Sequence, residues 1–145
     1  YATTQLGPKG FKKLVQPFDR KLCDLIHEFE GLAHYHNHGN VTSYLKDFVK
    51  TGIDSLDPLE IPPYGDIDLK EAKKILKGEV CMVGPLDDME ILNKKDKKEV
   101  LKLGQKCIEE AGPEGYILGG TSSGTYGEKA AANFIYLKEL AQKIS

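Results

Sequence analysis

The sequence predicts an α/β fold of four parallel strand–helix units, half the complement of a (β/α)8 TIM barrel. Three observations carry that expectation. Short apolar runs alternate with helical stretches, each run is bounded by Gly, Pro or polar residues, and chemically active side chains gather where the runs end. Strands separated by helices run parallel, because each crossover needs a helix to return the chain. The runs are continuously apolar rather than alternating, as strands covered on both faces are. Element order alone leaves a small doubly wound sheet open beside the half barrel.

The elements follow in order. Phe11, Leu14, Val15, Phe18, Leu22, Leu25, Ile26 and Phe29 recur at helical spacing, so an amphipathic helix is expected over residues 10–29, with Pro17 kinking it or marking its early turns. The segment from Tyr1 to Gly7 is expected to be the loop after a fourth barrel strand, either standing apart from the pocket or contributing to it. Gly31 to His36 is too short for a second helix and is expected to be a strand. Asn40 reads as the N-cap of a helix from Val41 to Lys50, which Gly52 ends. A strand over 55–60 stops at Pro62-Pro63, and Asp68 with Glu71 forms the capping pattern of a helix ending at Gly78. Val80 to Val83 is an apolar strand bounded by Gly84-Pro85. A short helical turn, a helix over 97–111, a strand over 115–118 and a final helix carrying Ala130, Phe134, Leu137 and Ala141 complete the chain.

Composition narrows the function classes. With 40% hydrophobic and 29% charged residues, the 145-residue chain has the balance of a globular domain rather than a disordered segment. A formal net charge of −2 leaves no electrostatic footprint for nucleic acid. The one basic run, Lys94 to Lys98, reads as the solvated start of a helix. No apolar run approaches the roughly 18 residues of a membrane helix. No secretory leader is visible at Tyr1, and Cys23, Cys81 and Cys107 read as small reduced thiols, so a cytoplasmic setting is expected. Opening without Met, the chain is expected to be part of something longer.

In parallel α/β folds the chemistry lies where strands end and loops begin. Those ends read His36-Asn37-His38-Gly39-Asn40, then Glu60, then Asp87, then Gly119-Gly120-Thr121-Ser122-Ser123-Gly124. Strand residues two apart share a face, so His34, His36 and His38 point one way, with His34 a layer deeper. Two histidines and a carboxylate are a legitimate zinc set, and His36, His38 and Glu60 are the candidate ligands. They are equally a hydrogen-bonded cluster without metal, able to move protons. The Gly119–Gly124 loop precedes a helix and either cradles a phosphate or lines the mouth as a turn.

The residues Gly10-Phe11, Pro17-Phe18, Leu32 to Val41, Gly52 to Glu60, Val83 to Asp87 and Gly115 to Gly120, with Asn133, resemble the uroporphyrinogen decarboxylase superfamily. That superfamily includes uroporphyrinogen decarboxylases and corrinoid-dependent methyltransferases. The resemblance spans nearly the whole chain and implies the C-terminal half of the family's TIM (β/α)8 barrel, as one domain over residues 1–145.

In the methyltransferase branch a zinc ion is held by a His-x-Cys pair at this strand end and by a Cys after the last strand. The pair falls on His36 and His38 here, and the last cysteine falls near Ser122 or Ser123, where no thiolate stands. The resemblance places Glu60 where related zinc enzymes carry a ligating glutamate, as ligand or base. Asp87 becomes an orienting group, and Asn40, Gly119, Gly120, Ser122 and Ser123 become cofactor contacts. The decarboxylase branch has a histidine after its last strand, which is missing here. The resemblance thus implies an enzyme, nearest a corrinoid-linked methyltransferase with zinc. The alternatives are a uroporphyrinogen decarboxylase (a lyase of porphyrin biosynthesis) and a non-catalytic corrinoid- or tetrapyrrole-binding barrel. Its partners would be a small molecule, tetrapyrrole or corrinoid, and either the N-terminal half of the barrel or a second copy.

Overall fold

The computed structural model describes residues 2–121 and 124–144. Its elements are α1 (Ala2–Leu14), α2 (Gln16–Glu28), β1 (His34–His36), α3 (Leu45–Thr51), β2 (Ser55–Asp57), α4 (Leu69–Leu76), β3 (Cys81–Leu86), α5 (Lys97–Ala111), β4 (Tyr116–Gly120) and α6 (Glu128–Ile144). The strands form one sheet in the order β1-β2-β3-β4, and every pair is parallel. Consecutive helices from α2 to α6 pack against one another outside it. This is a four-stranded arc of a β/α barrel, as expected.

Register sorts side chains into rows. Tyr35, Leu56, Met82 and Tyr116 stand opposite one another across the four strands. Leu56 and Met82 in this row are fully buried. On β1 and β2 the residues to either side point to the other face: His34 lies opposite Ser55, and His36 opposite Asp57. Phe48 of α3 anchors the core where α1 meets the sheet. It is fully buried, with ring centroids 5.3 Å from Phe11 and 5.2 Å from Tyr35.

Several local expectations are corrected. The stretch 10–29 is two helices broken at Val15, and Pro17 sits in the first turn of α2, where its missing N–H costs nothing. The residues after Tyr1, expected to be a loop, open α1, with Gly7 as its one non-helical residue. Asn40 is not an N-cap. The turn after β1 is a short 3-10 helix (Thr42–Tyr44), capped from a distance by Asp66 Oδ1, which accepts from the backbone N–H of Val41 at 2.8 Å and of Thr42 at 3.0 Å. β3 runs through Gly84-Pro85 to Leu86 instead of stopping there, and the turn after it is a π-helical one, Asp88–Leu92. The basic run does open a helix: Asp96 and Glu99 form a capping box at the start of α5.

The apolar stripe of α2 is the largest departure. Of its residues only Cys23 is buried, while Phe18, Leu22 and Leu25 are at least half exposed and Phe29 beyond it is 81% exposed.

Asp54 fastens the end of α2 to the entrance of β1. Its carboxylate accepts from the Ala33 N–H at 2.6 Å and lies 2.7 Å from His27 Nε2. Burial pushes this carboxyl up, but the His27 hydrogen bond, the Ala33 N–H and the His27 charge together hold it below its ordinary value. A carboxyl depressed in the folded state stabilises above its unfolded pKa and loses that contribution as pH falls through the folded one. Asp54→Asn is therefore expected to lower the unfolding midpoint at neutral pH, and the gap to the unsubstituted protein should close below the ordinary carboxylate range. Thermal unfolding of both proteins across pH checks this, and a gap independent of pH would contradict it.

Candidate functional site

The site is built from the ends of β1 and β2. His36 is the last residue of β1, and Asp57, the last of β2, is its partner in register. Their side chains meet, with His36 Nδ1 2.8 Å from Asp57 Oδ2. Beyond His36 the chain leaves the sheet and turns at Gly39, whose φ of +88° suits glycine and whose position leaves no room for a Cβ beside Thr4. That turn carries His38 back toward β2, where its Nδ1 lies 3.1 Å from Glu60 Oε1. Glu60 is buried, and its other oxygen accepts from the Gly39 N–H at 2.7 Å. The loop after Glu60 folds back so tightly that a Cβ at Gly65 would strike the Glu60 backbone. Asn37 fixes the outer side of the turn: its side-chain amide donates to the Thr3 hydroxyl at 2.8 Å.

The two rings then face each other, Nε2 to Nε2, at 2.9 Å, with their planes at 81°. The result is one chain of groups, Asp57–His36–His38–Glu60. Each carboxylate accepts a hydrogen bond, so each histidine donates through Nδ1–H, and both Nε2 atoms carry their lone pairs toward the partner ring. Two opposed lone pairs at this distance repel. The arrangement holds together when an electrophile lies between them: a proton shared as Nε2–H···Nε2, or a metal ion.

The sequence expectation of convergence holds for His36, His38 and Glu60, but not with three groups aimed at one point. Both Glu60 oxygens are engaged with His38 and Gly39, so Glu60 here orients a histidine rather than standing as a third ligand. Among the described residues no group of three or more His, Cys, Asp or Glu is set out to hold a metal ion. The imidazole pair by itself fits one. Tetrahedral bonds of about 2.0–2.1 Å hold two ligand nitrogens about 3.3–3.4 Å apart, so the rings need to part by only about half an ångström. A carboxylate behind each ligating histidine is the usual support of such sites. Burial raises all three thiols, Cys107 to about 11, so none of them is a ready thiolate at neutral pH.

The other expected site residues are not drawn into this chain. Asp87 is buried and caps the turn after β3, accepting from the Glu90 N–H at 2.6 Å. Asn40 lines a separate polar cleft of about 450 Å³ with Thr4, Ser43 and Asp66. Gly119 and Gly120 are strand residues of β4, and Ser122 and Ser123 lie outside the described residues. Sequence reading missed Asp57. The signal was there, since an acidic residue sat at the end of the neighbouring strand, but pairing it with His36 needs the register.

Comparison with solved structures finds the same fold in a methyltransferase from Methanosarcina mazei, with a TM-score of 0.78 and 15% sequence identity. The match covers 98% of this chain and 39% of that one, so the chain spans well under half of its structural neighbour's length. Comparison with curated proteins gives no match. Residues 2–142 match the model of the uroporphyrinogen decarboxylase (URO-D) family, strand ends and intervening helices included, and the chain belongs to that family.

Proposed function

We propose that this chain carries the metal-binding head of a methyl-transferring enzyme of the family, in which His36 and His38 hold zinc through their Nε2 atoms. The observation that carries the proposal is the opposed Nε2 pair, each ring backed by its own carboxylate. Zinc bound there would lower the pKa of a thiol or hydroxyl acceptor, which is the chemistry such an acceptor needs before it takes a methyl group. The chain's own residues do the rest. Asp57 and Glu60 keep both Nδ1 protons in place, the Gly39 N–H holds Glu60, and the remaining coordination comes from the acceptor or from residues beyond this chain. A corrinoid would be the methyl carrier, on the strength of the family resemblance alone.

The mouth favours this reading over decarboxylation of uroporphyrinogen. No Lys or Arg occurs from His36 to Asn40, from Asp57 to Glu60 or from Pro85 to Asp88, where Asp57, Glu60, Asp87 and Asp88 stand instead. A porphyrinogen substituted with many carboxylates would meet like charge there.

We further propose that the exposed face of α2 and the open edge of β1 are covered by the remaining βα units of an eight-stranded barrel, carried on the same polypeptide. A single chain of the structural neighbour extends well beyond the matched part.

The test uses the complete polypeptide. Zinc is measured in the purified protein, and methyl transfer from methylcobalamin to a thiol is followed before and after chelation. About one zinc per chain, with activity lost on chelation and restored by zinc, supports the reading. Full activity in the chelated protein overturns it.

A further inference from the structure

The ladder between β1 and β2 ends at Asn37, whose backbone N–H donates to the Asp57 carbonyl at 2.8 Å. Past that point the backbone that carries His38 leaves the sheet, and side chains hold it. The peptide between His38 and Gly39 is held at both poles. Its N–H donates to Glu60 Oε2 at 2.7 Å, and its carbonyl accepts from the Asn37 side-chain amide at 3.0 Å. A carbonyl only accepts, so the amide must turn its nitrogen toward it, and that nitrogen also donates to Thr3 Oγ1 at 2.8 Å.

Thr3 is fixed in its turn. The Tyr44 O–H donates to the Thr3 carbonyl at 2.6 Å, and the Tyr44 ring is seated in the core against Phe11, with centroids 5.5 Å apart. Asn37, Thr3 and Tyr44 are 2%, 3% and 4% exposed. Polar groups so deeply buried cost free energy unless they are paired, and a paired buried network holds one geometry. That geometry bears directly on His38. Its Nδ1 meets one oxygen of Glu60 while the Gly39 N–H holds the other, so a loosened His38–Gly39 peptide weakens both contacts together.

We propose that Asn37, supported by Thr3 and Tyr44, is a positioning residue: by fixing the His38–Gly39 peptide it holds the His38 ring between Glu60 and His36. The proposal rests on the reading of the histidine pair as the functional site, though not on whether a proton or a metal lies between the rings.

The test is the ring-nitrogen NMR spectrum of the complete, metal-free polypeptide with ¹⁵N-labelled histidine, which reports the nitrogen that carries the proton in each ring. In the unsubstituted protein His38 is expected in the Nδ1–H form. In Asn37→Ala and in Thr3→Val that form should fall from dominant to minor, because an imidazole released from its anchor favours Nε2–H. Thr3→Ser keeps the hydroxyl and should keep the Nδ1–H form. His27, bound to Asp54 away from the site, should be unchanged throughout and serves as the internal control for folding. A merely structural role would lower the denaturation midpoint and leave the His38 spectrum as it was. An unchanged His38 spectrum in either Asn37→Ala or Thr3→Val overturns the proposal alone, and so does a loss in Thr3→Ser equal to that in Thr3→Val. If Asn37→Ala does not fold, Thr3→Val decides by the same criterion. A His38 ring already in the Nε2–H form in the unsubstituted protein overturns the His38–Glu60 assignment itself, and the proposal with it.

Discussion

His36→Ala and His38→Ala are each expected to strip zinc from the complete polypeptide and to abolish methyl transfer. A metal held by two imidazoles from this chain loses half of that set with either substitution, and no third His, Cys, Asp or Glu ligand stands ready among the described residues to replace it. The carboxylate variants should behave differently. Asp57→Asn and Glu60→Gln leave both Nε2 atoms in place but weaken the control of the Nδ1 proton, so zinc affinity is expected to drop by about 10–100-fold rather than vanish. Competition with a chromogenic chelator separates the two classes. Equal affinity in all four variants would remove the histidine pair from the metal site. A loss in Glu60→Gln as complete as in His38→Ala would make Glu60 a ligand, contrary to the hydrogen bonds it makes here.

The second large effect concerns α2. Phe18, Leu22 and Leu25 face outward from a helix beside the open edge of β1, and Leu32 just before that strand is 80% exposed. Burying a Phe or Leu side chain contributes about 1.5–3 kcal/mol each. Phe18→Asp combined with Leu22→Asp is therefore expected to cost the complete polypeptide about 3–6 kcal/mol, read as a lower denaturation midpoint. In the 145-residue chain alone the same pair should change stability little and should suppress self-association and binding of hydrophobic dyes. Sedimentation and denaturant titration of both forms check this. A stable dimer of the chain alone, dissolved by the double substitution, would instead make a second copy the occupant of this face. An unchanged midpoint in the complete polypeptide would mean that nothing covers it.

What the sequence determined by itself is the part of the protein written in local patterns. Alternating apolar runs and helical stretches specify parallel order, because a helix is what returns the chain between parallel strands, and β1 to β4 follow that order. The capping pair Asp68 and Glu71 announced α4, since a cap is a contact three residues long. The position of His36 was legible because spacing along one strand sets the face a side chain takes, whereas His38 and Glu60 lie beyond the ends of β1 and β2 and are brought in by the loops that follow. Tertiary structure decided everything that depends on which residues become neighbours across long stretches of chain. Register placed Asp57 behind His36 and Ser55 beside His34, pairings 21 residues apart. A distant carboxylate, Asp66, took the capping role expected of Asn40, because the fold brought its oxygen to two waiting N–H groups. The α2 stripe shows the same division from the other side. Periodicity specifies that a helix has an apolar face, and only the assembled structure determines whether anything lies against it.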